Sequence, residues 1–229
     1  MKRFLVTGVA SGLGKYLYES LDDCAGLDRT NFNQIEKEEY RTIIHCAFNK
    51  ENEVTDGNKY VDDNFFLTQR LKNLPHKKFV YISTVDVYRN QPTFYAQAKK
   101  YIESTLAKED LILRCPMLLG YTMKPNHATK LISNKPKIGL SSESTFNYTL
   151  MKDLTRYFRE DWYLQQEGVV DFVSTDTIKL VDLKAYFNSK TELGNFTYID
   201  NQSDYKNPIY KIHPEFTRTS FEIIKYYFN

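Results

Sequence analysis

Apolar and polar residues fall into short, well-separated blocks along the chain. Phe4, Leu5 and Val6 form an apolar run long enough for one buried strand, and Lys15 to Leu21 has a helical pattern. Thr42 to Ala47 reads as a second strong strand. Asn58 to Leu74 reads as a helix, with Val61, Phe65, Leu67, Leu71 and Leu74 near helical spacing and Pro75 ending it. Lys78 to Thr84 is a strand that finishes in hydroxyl residues, Tyr95 to Ala107 a helix, and Leu111 to Pro116 a further strand. Helices over Thr149–Gln166, Ile178–Phe187 (capped by Asp176 or Thr177) and Thr217–Phe228 follow, with strands over Gly168–Ser174 and Asn195–Asp200. Residues 117–144 are the least regular part. Alternation of strand and helix predicts an α/β chain with a doubly wound parallel sheet. The crossover between the second and third strands is expected to be trimmed.

Composition narrows the class without naming a function. At 229 residues the chain suits one domain with a small lobe. A net charge of +2 with interspersed signs excludes a nucleic-acid-binding stripe. Cys24, Cys46 and Cys115 are scattered and odd in number, and read as small apolar residues in a reducing compartment. The four histidines lack metal-ligand spacing, so no metal is expected. The apolar start is too short for a signal segment, and no run reaches membrane-spanning length. A cytoplasmic protein with neither membrane nor nucleic-acid partner is the expectation.

The turn Thr7–Gly14 is the first element that carries chemistry. It reads T-G-x-x-x-G-x-G between a strand and a helix. That layout turns backbone N–H groups and a helix N-terminus toward a pyrophosphate. Gly8 permits the sharp turn, Gly12 removes a Cβ where phosphate approaches, and Gly14 lets helix and strand pack closely. Ser11 and Leu13 belong to the same turn. Asp28 stands 20 residues beyond Gly8, where an acidic side chain accepts from the adenosine ribose. Asp28 favours NAD; Arg29 beside it is the feature that would admit NADP instead.

Tyr95 and Lys99 share a helix face at i and i+4. A nearby ammonium favours tyrosinate, and a tyrosine so tuned can exchange a proton with a carbonyl or hydroxyl oxygen. A bare Y-x-x-x-K is most often an ordinary amphipathic face. Here it follows both the Ser83-Thr84 strand end and the glycine turn, in that order.

With these residues in view, the chain resembles the short-chain dehydrogenases/reductases, and within them the extended branch of NAD-dependent epimerases and dehydratases. The resemblance rests on Thr7–Gly14, Asp28, Ile44–Ala47, Asn64, Phe79–Tyr88, Tyr95 with Lys99, and Leu113–Pro116, and continues through Asn147–Asp153 and Gly168–Tyr186. It implies a single Rossmann-type NAD(P)-binding domain over 1–229 with a small, reduced C-terminal substrate lobe from segments near 119–146 and 190–229. It implies that Tyr95 is the acid/base, Thr84 orients the substrate oxygen and Lys99 supports both tyrosine and cofactor. Gly8, Ser11, Gly12, Leu13, Gly14, Asp28, Arg29, Cys46, Ala47, Asn64, Tyr95, Lys99 and Pro116 would form the cofactor site. The helices Asn58–Leu74 and Tyr95–Ala107 would make a homodimer interface.

The expected function is NAD(P)-dependent hydride transfer at a sugar carbon, as a nucleotide-sugar keto-reductase or epimerase, of the kind polysaccharide biosynthesis employs. Two alternatives stay open: reduction of a small non-nucleotide carbonyl, and a non-catalytic dinucleotide-sensing or scaffold role. The intact Tyr95/Lys99 pair argues against the last.

Overall fold

The computed structural model describes residues 2–28, 31, 38–49 and 55–229. Its centre is a six-stranded parallel sheet built from β1 (Lys2–Thr7), β2 (Cys24–Leu27), β3 (Tyr40–His45), β4 (His76–Thr84), β5 (Leu111–Cys115) and, after four short intervening strands, a last strand over Gly168–Asp171. The spatial order runs last strand, β5, β4, β3, β1, β2, every pair parallel. These strands are nearly continuous apolar runs because helices cover both faces. Strand order reverses between β1 and β3, whose neighbours diverge to β2 on one side and β4 on the other. In open α/β sheets ligands bind outside the carboxyl ends of the strands at such a reversal.

Helix α1 (Gly12–Ser20) and a helix over Met151–Arg159 cover one face, with Leu13, Leu17, Leu154, Tyr157 and Phe158 buried against Phe4, Val6, Ile44 and Val80. Helices α2 (Gly57–Lys72) and α3 (Phe94–Ser104) cover the other, over Leu5, Ile43, Phe79 and Tyr81. The sealed stripe of α2 is Tyr60, Asn64, Thr68 and Leu71. Val61, Phe65 and Leu67 are only half-buried, so the helix is turned about one residue from the face its apolar spacing suggests. Two polar side chains on the sealed stripe require partners inside the fold.

A third apolar cluster forms beyond β5. It joins β6 (Met117–Leu119), α4 (His127–Ile132), β7 (Lys137–Leu140), β8 (Thr145–Phe146), β9 (Tyr148–Leu150), a helix over Leu180–Tyr186 and the terminal helix Ser220–Phe228. Residues 117–144 are therefore more regular than expected, α4 opening on an Asn126–Thr129 capping box. Three further expectations are corrected. The Thr149–Gln166 helix is interrupted: α5 (Met151–Arg159) stops before Asp161, whose φ is +57° and whose carboxylate binds Arg3 and Arg41. Ile178 and Lys179 form strand β11, paired with β8, so the helix α6 starts only at Leu180. Asp176 does not cap it, but accepts from the Ser220 amide at the start of the terminal helix. Finally, the strand expected over 195–200 lies earlier, as β12 (Glu192–Phe196) beside β7. The last central strand, Gly168–Asp171, is β10.

Candidate active site

The sequence-derived candidates lie after the carboxyl ends of successive strands or on the helices beside them. The chain leaves β1 through Gly8 at φ +74°, a conformation that favours glycine. A Cβ added there would lie 3.0 Å from the Cα and N of Ala47, so the glycine turn and the loop after β3 close on one another. At Gly14 an added Cβ would stand 2.5 Å from the carbonyl oxygens of Thr7 and Gly8, which is how closely α1 rides on β1. Gly12, at φ +61°, has no atom within 4 Å of such a Cβ and opens outward. No acidic side chain sits in the first turn of α1, and Ser11 makes no side-chain cap bond. The helix end thus keeps its positive field for an anion. Thr122, in the segment after β6, donates its hydroxyl to the Gly12 carbonyl at 2.7 Å.

Ser11 is exposed, whereas the Leu13 side chain is buried in the core beside Leu17. Asp28 is exposed just past β2. Its N–H donates to Asn31 Oδ1 and Asn31 Nδ2 donates to the Gly26 carbonyl, which clasps Asn31 to the end of β2. Arg29 lies outside the described residues. Cys46 and Ala47 are half-buried after β3, and burial pushes the Cys46 thiol upward, away from nucleophilic use. Pro116 is half-buried after β5. Asn64 is sealed at 1% exposure. Its amide donates to the carbonyls of Asn49 and Tyr60 and accepts the Asn49 N–H, so it grips the β3 loop from beneath.

Thr93 caps α3 by accepting the Ala96 N–H, and the helix then presents Tyr95, Lys99 and Glu103 at four-residue steps. The half-buried Tyr95 meets the Phe48 ring edge-on, centroids 5.3 Å apart. Lys99 is only 2% exposed. Its Nζ donates to the Ile82 carbonyl at 2.7 Å. It lies 4.3 Å from the Phe48 ring centre, 4.5 Å from that of Tyr81 and 5.8 Å from that of Tyr95. Burial pulls the Lys99 pKa down to about 7, and Cys46 and Glu103 pull weakly the other way. Thr84, at the end of β4, accepts the Asp86 N–H at 3.2 Å and caps the short turn Val85–Tyr88.

Several residues packed around these candidates carry no motif. Glu103 accepts from Ser83 Oγ at 2.5 Å and from Arg114 through two nitrogens, locking α3 to β4 and β5. Tyr88, under the Arg114 guanidinium, donates to Asp171 on β10. Asp86 accepts from Tyr198, whose ring stacks on Phe146 at 4.9 Å, tying the turn after Thr84 to the C-terminal cluster. The signal for Glu103 was present: it continues the Tyr95–Lys99 face one turn further. Nothing local to Arg114 or Tyr198 announces their partners: Glu103 sits on the preceding helix and Asp86 lies 112 residues from Tyr198.

No family model and no curated protein sequence matches this chain. Solved structures do. A dTDP-4-dehydrorhamnose reductase from Clostridium acetobutylicum superposes with a TM-score of 0.73 at 14% identity, covering 98% of each chain. Another dTDP-4-dehydrorhamnose reductase, from Bacillus anthracis and in complex with NADP, gives 0.70 at 17%, covering 99% of this chain and 98% of that one. The chain has the fold of the extended short-chain dehydrogenases/reductases. A UDP-glucuronic acid 4-epimerase from Bacillus cereus, in complex with UDP-glucuronic acid and NAD, is also similar, with a TM-score of 0.65 at 18% identity over 90% of this chain and 94% of that one. At such identities the likeness concerns the fold. Within it, this chain has the glycine turn, the β3 loop and the Tyr95/Lys99 helix face on its own residues.

Proposed function

We propose that this protein is an NAD(P)-dependent oxidoreductase of the epimerase/dehydratase type, acting at a carbon of a nucleotide sugar. The observation that carries the reading is the meeting of α3 with the β3 loop at the strand-order reversal. There Phe48 touches both Tyr95 and Lys99 while Ala47 abuts Gly8. The glycines fit a dinucleotide: the space in front of Gly12, the uncapped start of α1 and exposed Asp28 are what a pyrophosphate and an adenosine ribose require. When bound, the nicotinamide supplies or accepts the hydride. Tyr95 exchanges the proton at the substrate oxygen, and Thr84 orients that oxygen. Lys99 steadies the charge on Tyr95, and its bond to the Ile82 carbonyl holds it at the end of β4. Asp28 favours NAD.

The cluster formed by β6–β9, α4, α6 and the terminal helix serves in this reading as the substrate lobe. The neighbours crystallised with nucleotide sugars support that class of substrate. Exposed Phe66 and Tyr101 on α2 and α3 support a homodimer through those helices. Three free thiols suit a reducing, cytoplasmic setting, and among the described residues no helix is long and apolar enough to cross a membrane.

The test is a panel of nucleotide sugars with NADH and NADPH, followed by absorbance of the reduced nicotinamide. Tyr95→Phe is expected to retain dinucleotide affinity and lose turnover by about 100-fold or more. Wild-type protein that binds neither dinucleotide would end this reading.

A further inference from the structure

Beneath the crevice a buried chain of hydrogen bonds crosses from β1 to α2 through His45. The Ala47 N–H donates to Thr7 Oγ1 at 2.9 Å. Thr7 Oγ1 lies 2.9 Å from His45 Nδ1, and His45 Nε2 lies 3.0 Å from Thr68 Oγ1. Thr68 Oγ1 donates to the Asn64 carbonyl at 2.9 Å. Thr7, His45, Thr68 and Asn64 are all buried.

The polarity of this chain follows from its ends. The Asn64 carbonyl only accepts, so it takes the Thr68 hydroxyl proton. Thr68 oxygen must then accept, which puts the imidazole proton on Nε2. Burial and the nearby Lys99 charge hold the ring neutral, its pKa down at about 3. Nδ1 is therefore an acceptor and takes the Thr7 hydroxyl proton. That leaves the Thr7 oxygen to receive the Ala47 N–H. Each group is satisfied in one arrangement, and reversing any link orphans a buried donor or acceptor.

We propose that His45, as the neutral Nε2–H tautomer, is a positioning residue that sets the width of the dinucleotide crevice. The inference rests on the dinucleotide reading above. Ala47, held at one end of the relay, is the residue whose Cα and N press against Gly8. Thr7, at the same end, is the residue from which the glycine turn departs. At the other end Thr68 and Asn64 share α2, and Asn64 holds Asn49, three residues after Cys46, by both its N–H and its carbonyl. Just after β3 the chain is thus held to α2 by two hydrogen bonds at Asn49 and to β1 by one at Ala47. An imidazole is suited to the middle of this path, because it accepts and donates at opposite edges of one rigid ring. An amide side chain offers both functions only at a single end.

The experiment uses the full chain with Thr68→Val, a near-isosteric change remote from the crevice. Two-bond proton–nitrogen NMR of the wild-type imidazole should report the Nε2–H tautomer, and an Nδ1–H form or an imidazolium at neutral pH would overturn the proposal. In Thr68→Val, exchange of the Ala47 amide should accelerate, and the Kd for NADH should rise about fivefold or more. Thr68→Ser, which restores the hydroxyl, should bring both back. If Thr68→Val lowers Tm while Ala47 exchange and the NADH Kd stay at wild-type values, Thr68 is packing alone and the proposal fails. A wild type that binds no dinucleotide instead ends the enzyme reading, and the crevice-setting role with it, whatever the tautomer and amide exchange report.

Discussion

At the scale of single residues, Lys99 has the most unusual surroundings. A flexible ammonium is sealed among the faces of Phe48 and Tyr81 with one carbonyl to receive a proton. Burial opposes its charge, while the aromatic faces and the Ile82 carbonyl favour it. Its native pKa of about 7 lies below the ordinary 10.5. Between those values the unfolded chain holds more protons than the native one, so the stability tied to this group rises with pH across that window. Below about pH 7 the cost of the buried charge is fully present. Urea unfolding of wild type and Lys99→Met should therefore converge or cross in favour of wild type between about pH 7 and pH 9. A difference independent of pH would show that Lys99 keeps its ordinary pKa. Lys99 and Tyr95 were legible at this scale because i,i+4 spacing is local. The burial of Lys99 was not, since Phe48, in the loop after β3, and Tyr81, on β4, reach it from other parts of the chain.

At the scale of elements, the β1–α1 unit and the α3–β5 junction make separate predictions. Gly14→Ala forces a methyl into the carbonyls of Thr7 and Gly8. It is expected to destabilise by about 1–3 kcal/mol and to weaken NADH binding by moving α1 off β1. Gly12→Ala meets no atom and strains only its φ of +61°, a cost of about 1–2 kcal/mol. NADH titration separates the two, and a Gly14→Ala denaturant midpoint equal to that of wild type would refute the close-packing account of Gly14. At the other junction, Arg114 and Glu103 have side chains 13% and 5% exposed. Arg114→Met leaves a buried carboxylate with Ser83 alone and should cost about 3–5 kcal/mol in urea unfolding. Adding Glu103→Leu should recover much of that loss. Additive effects of the two changes would mean that they do not act as a pair.

The strand–turn–helix at the N-terminus was legible because its glycines and apolar run are contiguous. The break at Asp161 was not: its carboxylate answers Arg3 and Arg41, more than 100 positions away. Nor was the sealed face of α2. Apolar spacing pointed to Val61 and Phe65, but the relay through His45 and the grip on Asn49 draw Thr68 and Asn64 inward.

At the scale of the whole molecule, the three largest apolar clusters among the described residues divide the work. Two hold helices to the sheet, and the third builds the lobe beyond β5. Phe66 at 64% exposure and Tyr101 at 49% lie on α2 and α3. If these helices form the proposed dimer, Phe66→Glu with Tyr101→Glu should convert it to monomer in sedimentation while leaving each protomer folded. A sedimentation coefficient unchanged by the double substitution would move the interface elsewhere.

The chain by itself determined the alternation of strands and helices, the glycine turn, Asp28 and the Tyr95/Lys99 face. All of these are patterns within a few residues, set by backbone conformation and helical or strand period. Tertiary structure alone decided the strand order and hence the reversal at β1 and β3. It also decided the enclosure of Lys99, the Glu103–Arg114 lock, and the partners of His45. These depend on residues distant in sequence, brought together only when the sheet assembles, and each is retained because a buried polar group must find its partner there.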